Sequence, residues 1–306
     1  MKIGILGSGP MGLRHADAMN RTGRVEVVTG ADSPEVLFDA GVDAVVLCQD
    51  NTRRAEVAIG ALTHGVHVLC DLPVATDLEA AREVAEAAAA SSAMLQVGSH
   101  RRFAPVYAAS RRRLQRGFSV DAAHAKINRG ELEQPAGIGD RSRTGGFLYT
   151  GAVQMFDVLR HLLGELSALR ALGRANRYDE TDDYCLLLEF DSSVTATLHA
   201  CAHAGWMAPV ESIELYGDRA SLVTEGVDRL RFCPGLDWPT EVLDCRSVPA
   251  LERWGHEAEA AAFLSLIEEG GKPDVTALDG LRDVAIVEAV RESVLGQGKR
   301  VPVAQE

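Results

Sequence analysis

The start of the chain constrains it most. A short apolar run, Lys2–Leu6, ends in Gly7-Ser8-Gly9-Pro10-Met11-Gly12, and a stretch with helical periodicity, Leu13–Arg21, follows. A second apolar run, Val25–Val28, leads to Asp32, which stands roughly 20 residues beyond the last glycine, where the dinucleotide fingerprint places its acid. Each glycine has a physical task. The first permits a tight turn, the second lets main chain approach a diphosphate, and the third lets helix and strand pack closely. The helix start adds N–H groups with no carbonyl one turn before them. The pattern predicts dinucleotide binding by Gly7, Ser8, Gly9, Pro10, Met11 and Gly12. Asp32 would accept hydrogen bonds from the adenosine ribose, which favours NAD and leaves NADP as the second choice.

Apolar runs at Asp43–Cys48, His67–Cys70 and Met94–Val97 alternate with helical stretches at Arg53–Thr63 and Leu78–Ala90. This βαβ alternation predicts a parallel sheet ending near Gly98. The strand at Asp43 follows Asp32 so closely that the adenine edge is expected to lack the helix and strand of a full doubly wound half. A first domain of residues 1–98 and a second of 99–306 are expected.

Beyond Gly98 the pattern changes. Helices are expected at Phe103–Leu114 and Gly151–Leu163, and closing helices at Glu257–Glu269 and Asp279–Leu295. Strand-like runs lie at Asp183–Phe190, Val194–Cys201, Glu211–Tyr216, Ser221–Thr224 and Arg229–Phe232. Short polar turns between them, such as Asp191-Ser192-Ser193, predict antiparallel pairing. Along Val194–Cys201, Val194, Ala196, Leu198 and Ala200 share one face. The other face is semi-polar and suits a contact between copies.

Charge narrows the partners. Lys+Arg is 31 and Asp+Glu is 44, a formal net charge of −13. Such a chain, with no basic block, argues against nucleic acid and anionic membrane and for a small-molecule ligand. The first residues read as a buried strand rather than a signal peptide, and no apolar run is long enough to span a bilayer. Six cysteines without C-x-x-C spacing fit free thiols in a cytoplasmic protein. His199, Cys201 and His203 share a strand face, but no established metal motif supports a site there, and no metal is expected.

The ordered motifs resemble the Gfo/Idh/MocA oxidoreductases. The residues that carry the likeness are Gly7–Gly12 with Arg14-His15, Asp43-Ala44-Val45-Val46, Asn51, Ala55-Glu56, and His67-Val68-Leu69-Cys70-Asp71-Leu72-Pro73. Arg101-Arg102-Phe103-Ala104-Pro105, Gly145-Gly146, Gly151, Asp157, Leu159-Arg160 and Gly298-Lys299-Arg300-Val301-Pro302-Val303 continue it. The resemblance implies an α/β Rossmann domain followed by an α+β domain with an open, mainly antiparallel sheet. It also implies hydride transfer between NAD(P) and a sugar, inositol or related cyclic substrate, and a homodimer or homotetramer. Asp50 and Asn51 would border the nicotinamide half. Asp71 and Pro73 would shape the cleft floor, with a cis bond before Pro73.

Two departures bear on chemistry. The family's E-K-P tripeptide is Asp71-Leu72-Pro73 here, so its lysine is absent. Its D-x-x-x-H stretch falls on Thr150 and Gln154. Leucine has no proton to exchange, and glutamine can hydrogen-bond but cannot act as a base. Thr150, Gln154, Asp157 and His161 have the spacing of one helix face. Gln154, Asp157, Tyr149 and His161 are therefore the catalytic candidates, with His100 at the cleft edge. Two alternatives stand beside a re-equipped dehydrogenase. One is an imine substrate that needs less acid–base help. The other is a retired family member acting as a nucleotide-binding sensor, scaffold or partner subunit.

Overall fold

The computed structural model describes residues 1–30, 33–129, 141–204 and 210–305. The first sheet contains β1 (Lys2–Leu6), β2 (Glu26–Val28), β3 (Ala44–Leu47), β4 (His67–Asp71) and β5 (Leu95–Gly98). Their order is β2-β1-β3-β4-β5, and every pairing is parallel. β3 and β5 are buried at every residue, as expected of strands covered on both faces. The helices are α1 (Pro10–Arg21), α2 (Pro34–Asp39), α3 (Arg54–Thr63) and α4 (Leu78–Ala90). Asp77 caps α4 by accepting from the Ala80 amide at 2.8 Å.

The adenine edge departs from expectation. A short helix, α2, does occupy the space before β3, with Pro34 in its first turn. Leu37 is fully buried, and its methyls lie where a Cβ on Gly4 would be, at 2.7 Å. One such anchoring contact suffices for a helix too short to show periodicity.

The second half contains α5 (His100–Phe103), α6 (Pro105–Gln115), β6 (Ala122–Asn128), α7 (Arg141–Thr144), a π turn at Leu148–Ala152 and α8 (Val153–Leu163). Strands β7 (Leu166–Arg174), β8 (Asp183–Phe190), β9 (Thr195–Cys201), β10 (Glu211–Gly217), β11 (Ala220–Glu225), β12 (Arg229–Cys233) and β13 (Glu241–Asp244) follow. The chain closes with α9 (Ala250–Arg253), α10 (His256–Glu269), α11 (Ala277–Leu295) and β14 (Val301–Pro302). The nine-stranded sheet runs β13-β12-β11-β10-β6-β9-β8-β7-β14. It is antiparallel except between β6 and β9. In β9, Ala196, Leu198 and Ala200 are buried while Thr195 and Thr197 are exposed, as the alternation predicts.

Four strands were not expected. β6 and β7 carry Lys126, Arg170 and Arg174 within their alternation, β13 is an edge strand exposed at every residue, and β14 is two residues long. Their pairing comes from neighbours, not from apolar content.

Two late helices return to the first sheet. Ala260, Phe263 and Leu264 of α10 share a core with Ile3, Ile5, Ala18 and Met19. Before α11, the Val275 carbonyl accepts from the Val97 amide at 2.9 Å, and α11 starts with a capping box between Thr276 and Asp279. Both late helices therefore tie the second half to the parallel sheet. All six cysteines are free thiols. Among the described residues, no helix is long and apolar enough to cross a membrane.

Candidate active site

The phosphate loop is built by exclusion of side chains. Gly7 has φ +120°, and a Cβ there would lie 2.7 Å from the Cys48 carbonyl carbon. A Cβ on Gly12 would lie 1.8 Å from the Gly7 oxygen. Both positions are closed to any other residue. At Gly9 a Cβ would meet nothing within 4 Å, so that glycine faces open space. α1 begins there with Pro10 in its first turn and no side-chain cap. The first-turn amides are thus left for an anionic guest. A cavity of about 220 Å³ beside the loop is lined by Gly7, Ser8, Gly30, Pro34, Gln49 and Arg53. A cradle of this shape fits a dinucleotide. Asp32 lies outside the described residues. Sequence reasoning passed over Gln49 and Arg53; their signal is their place just after the buried strand β3, where α/β sheets bind ligands.

The floor is formed by the ends of β3 and β4. Leu72–Pro73 is cis, as the resemblance implied. Arg54 Nη1 donates to the Asp71 and Pro73 carbonyls at 3.1 and 3.2 Å, and Nε to the Gln49 carbonyl at 3.1 Å. One guanidinium thereby fixes both strand ends. His15 Nε2 donates to Asp71 Oδ1 at 2.8 Å. Burial alone would raise the Asp71 carboxyl, but His15 and Arg54 outweigh it and hold the group below its ordinary range. Leu72 is 5% exposed and packs in the core.

Asp50 and Asn51 are tied to the second half. Arg143 forks onto Asp50 at 2.9 and 2.7 Å, and the Asn51 amide donates to the Thr144 carbonyl at 2.8 Å. They link α7 to β3 across the cleft.

The four catalytic candidates do not gather at one point. Gln154 is half-buried, and its Oε1 accepts from Arg101 Nη1 at 2.9 Å. Asp157 is fully buried; it takes the Arg102 guanidinium at 3.0 and 3.1 Å from Nε and also the Ser99 hydroxyl. That carboxylate anchors α5 to α8. The Tyr149 hydroxyl donates to Glu288 on α11 at 2.7 Å, and Arg291 lies over its ring. Burial, then Glu288, pushes the phenol well above its usual range. His161 is lowered to about 4, by burial first and Arg102 second, and is neutral at pH 7. The π turn at Leu148–Ala152 disturbs the expected face: the Thr150 hydroxyl turns back to the Gly146 and Phe147 carbonyls.

Arg101 is the hub that sequence reasoning missed. Its Nε sits 3.2 Å from both Glu211 oxygens, its Nη2 2.8 Å from Oε2, and Tyr107 donates to Glu211 Oε1 at 2.9 Å. Its Nη1 donates both to Gln154 and to His100 Nε2, the latter at 3.3 Å. His100 Nδ1 donates to the Trp254 carbonyl at 2.7 Å, and its ring stacks on His256 at 4.1 Å. Burial, then His256 and Arg101, drives His100 well below its normal value, so it stays neutral. Glu211 opens β10, far along the chain from Arg101, and nothing local announces the pair. On the outer face of the second sheet, His199 pairs with Asp183 at 2.8 Å, while Cys201 Sγ meets His203 at 3.2 Å.

Comparison with known proteins assigns the family. A model described as oxidoreductase family, NAD-binding Rossmann fold, matches residues 27–99, and one described as oxidoreductase family, C-terminal alpha/beta domain, matches residues 119–303. The chain belongs to the Gfo/Idh/MocA oxidoreductase family. Among relatives, scyllo-inositol 2-dehydrogenase (NAD(+)) of Bacillus subtilis is 26% identical over 81% of this chain and 74% of its own length. Inositol 2-dehydrogenase 2 of Saccharopolyspora erythraea is 29% identical over 99% of this chain and 95% of its own. Among solved structures, levoglucosan dehydrogenase in complex with NADH superposes with a TM-score of 0.90 over 100% of each chain, at 20% identity. A putative myo-inositol dehydrogenase from Sinorhizobium meliloti gives 0.82 at 20% identity, over 99% of this chain and 100% of its own. Family membership makes this an oxidoreductase whose coenzyme is NAD, held by the Rossmann half.

Proposed function

We propose that this oxidoreductase moves hydride between NAD(H) and a ring carbon bearing a hydroxyl group, on an inositol or a cyclic sugar. The observation that carries the reading is the glycine cradle: two glycines packed too tightly for any side chain, and a third facing open space beside a cavity. The inositol and sugar dehydrogenases among the relatives support the substrate class.

The main chain of Gly7–Gly12 would hold the diphosphate, and Asp32 the adenosine ribose. When bound, the coenzyme supplies or accepts the hydride. The rest falls to this chain. Asp50, Asn51, Asp71 and Pro73 would border the nicotinamide end. Gln154, with its oxygen committed to Arg101, has its NH₂ free to donate to a substrate oxygen. Donation orients a hydroxyl or carbonyl but moves no proton. Leu72 contributes only an apolar wall, so proton transfer passes to solvent or to the substrate's own groups. A positioned acid or base is typically worth 10²–10⁴-fold, so slow turnover is expected. Residues 1–98 would form the coenzyme half and 99–306 the substrate half, in a cytoplasmic homo-oligomer.

The experiment is direct. NADH and NADPH are titrated against nicotinamide fluorescence, and inositols and cyclic sugars are then offered with NAD, and cyclic imines with NADH. Saturable NADH binding with turnover of a polyol supports the reading. Failure to bind either coenzyme at millimolar concentration overturns it, and turnover of imines alone reassigns the substrate.

A further inference from the structure

Beneath the cleft lies a buried polar cluster that hydride transfer does not use. His15 comes from α1, and His256 and Glu259 from the first turn of α10. The H-x-x-E spacing puts the latter two on one helix face. One ligand atom from each of the three lies within 4.8 Å of the others, and all three residues are buried. Glu259 is 0% exposed, and neither of its carboxylate oxygens has a hydrogen-bond partner. His256 Nδ1 and Asp71 Oδ2 are also buried without a partner.

Four orphaned atoms this close together need an explanation, because a buried polar group without a partner costs about 1–3 kcal/mol, and a charged one more. Neighbouring guanidiniums are engaged elsewhere: Arg54 on main-chain carbonyls and Arg101 on Glu211. A dication would satisfy the same atoms, and its charge would cancel the Glu259 and Asp71 carboxylates. His15 is already oriented for such a role. Its Nε2 is held by Asp71, which leaves Nδ1 as the nitrogen that would meet an ion, as in carboxylate–histidine–metal sites.

We propose that His15, His256 and Glu259 bind one divalent transition ion of the zinc class, with Asp71 orienting His15. Two imidazoles and a carboxylate suit zinc better than calcium or magnesium. Metal–ligand bonds of about 2.0–2.2 Å require the donors to draw together slightly from their present separation. Complete burial makes the site a clasp between α1 and α10, the two helices that join the halves, and not an open catalytic position.

The test uses untagged full-length protein, stripped with a chelator and then titrated with zinc or with cobalt as a visible probe. One ion per chain is expected, with a raised Tm and the d–d bands of a low-coordinate cobalt site. His256→Gln and Glu259→Gln each weaken uptake at least about 10-fold, and Asp71→Asn by about 10–100-fold. Absence of stoichiometric uptake from micromolar zinc overturns the proposal. So does uptake that both ligand variants leave unchanged, which would place the ion on surface histidines. Should either variant fail to fold, the wild-type cobalt spectrum decides: no bands, no site. None of these readouts depends on coenzyme or turnover.

Discussion

The two sides of the cleft are made of different materials. On the coenzyme side, the phosphate loop is main chain, shaped by what glycine lacks. On the substrate side, the Gln154–Arg101–Glu211 network is side chain, drawn from α8, α5 and β10. The first tolerates almost no substitution at Gly7 or Gly12, where an added carbon meets backbone. In the second, the motif resemblance sets Leu72 and Gln154 where the family's lysine and histidine are expected. A main-chain site survives divergence because its geometry is the fold itself. A side-chain site can be re-equipped one residue at a time.

The contrast is breakable, most severely at Gly9. Gly9→Val points into space where an added Cβ meets no protein atom within 4 Å, so saturable NADH binding should vanish while the Tm stays at the wild-type value. A variant that binds normally would move the diphosphate elsewhere. On the other side, Leu72→Lys combined with Gln154→His introduces the proton-handling pair that the resemblance implies. Polyol oxidation should rise by about 10²–10⁴-fold in kcat; an unchanged rate would mean that another group already moves the proton.

The network itself is a stability test. Arg101→Met leaves Glu211 buried and unpaired and should cost about 3–5 kcal/mol in denaturant unfolding, with much of it recovered in the Arg101→Met, Glu211→Leu double variant. A cost below 1 kcal/mol would show the pair to be peripheral. His161 gives a smaller, pH-dependent effect among its charged neighbours Arg102, Asp157, Arg111 and Asp279. Its pKa falls from 6.5 to about 4 on folding. The unfolded chain therefore binds more protons between those values, and stability drops as pH falls through that window. His161→Gln should flatten that part of the Tm–pH curve. The exposed Asp50–Arg143 fork should matter least: Asp50→Ala should cost about 0.2–1 kcal/mol and less at high salt.

Much of the frame could be read from the chain. Continuous apolar runs announced β1, β3, β4 and β5, and the helical stretch at Leu78–Ala90 announced α4. The short helix α2 escaped because a single buried leucine holds it, and β13 because an edge strand needs no apolar face. Within the site, Gly7–Gly12, Asp71 and Pro73 were visible as motifs. Arg101 stood in a motif without a role, and Glu211, His256 and Glu259 carried no signal, since each becomes meaningful only beside a partner far away in sequence. Asp157 and Tyr149 were visible as candidates, but their particular partners were not: Arg102 and Ser99 hold the first and Glu288 the second.

By itself, the order of residues determined most strands of the first sheet, the longer helices and where a side chain is forbidden, because these follow from local sterics and from burial patterns a few residues long. Only the tertiary structure decided which polar groups meet and which are left without partners. A buried charge acquires its partner, its pKa and its chemistry from atoms that folding brings near, and Glu259 beneath the cleft owes its unpaired state to helices α1 and α10 meeting across most of the chain.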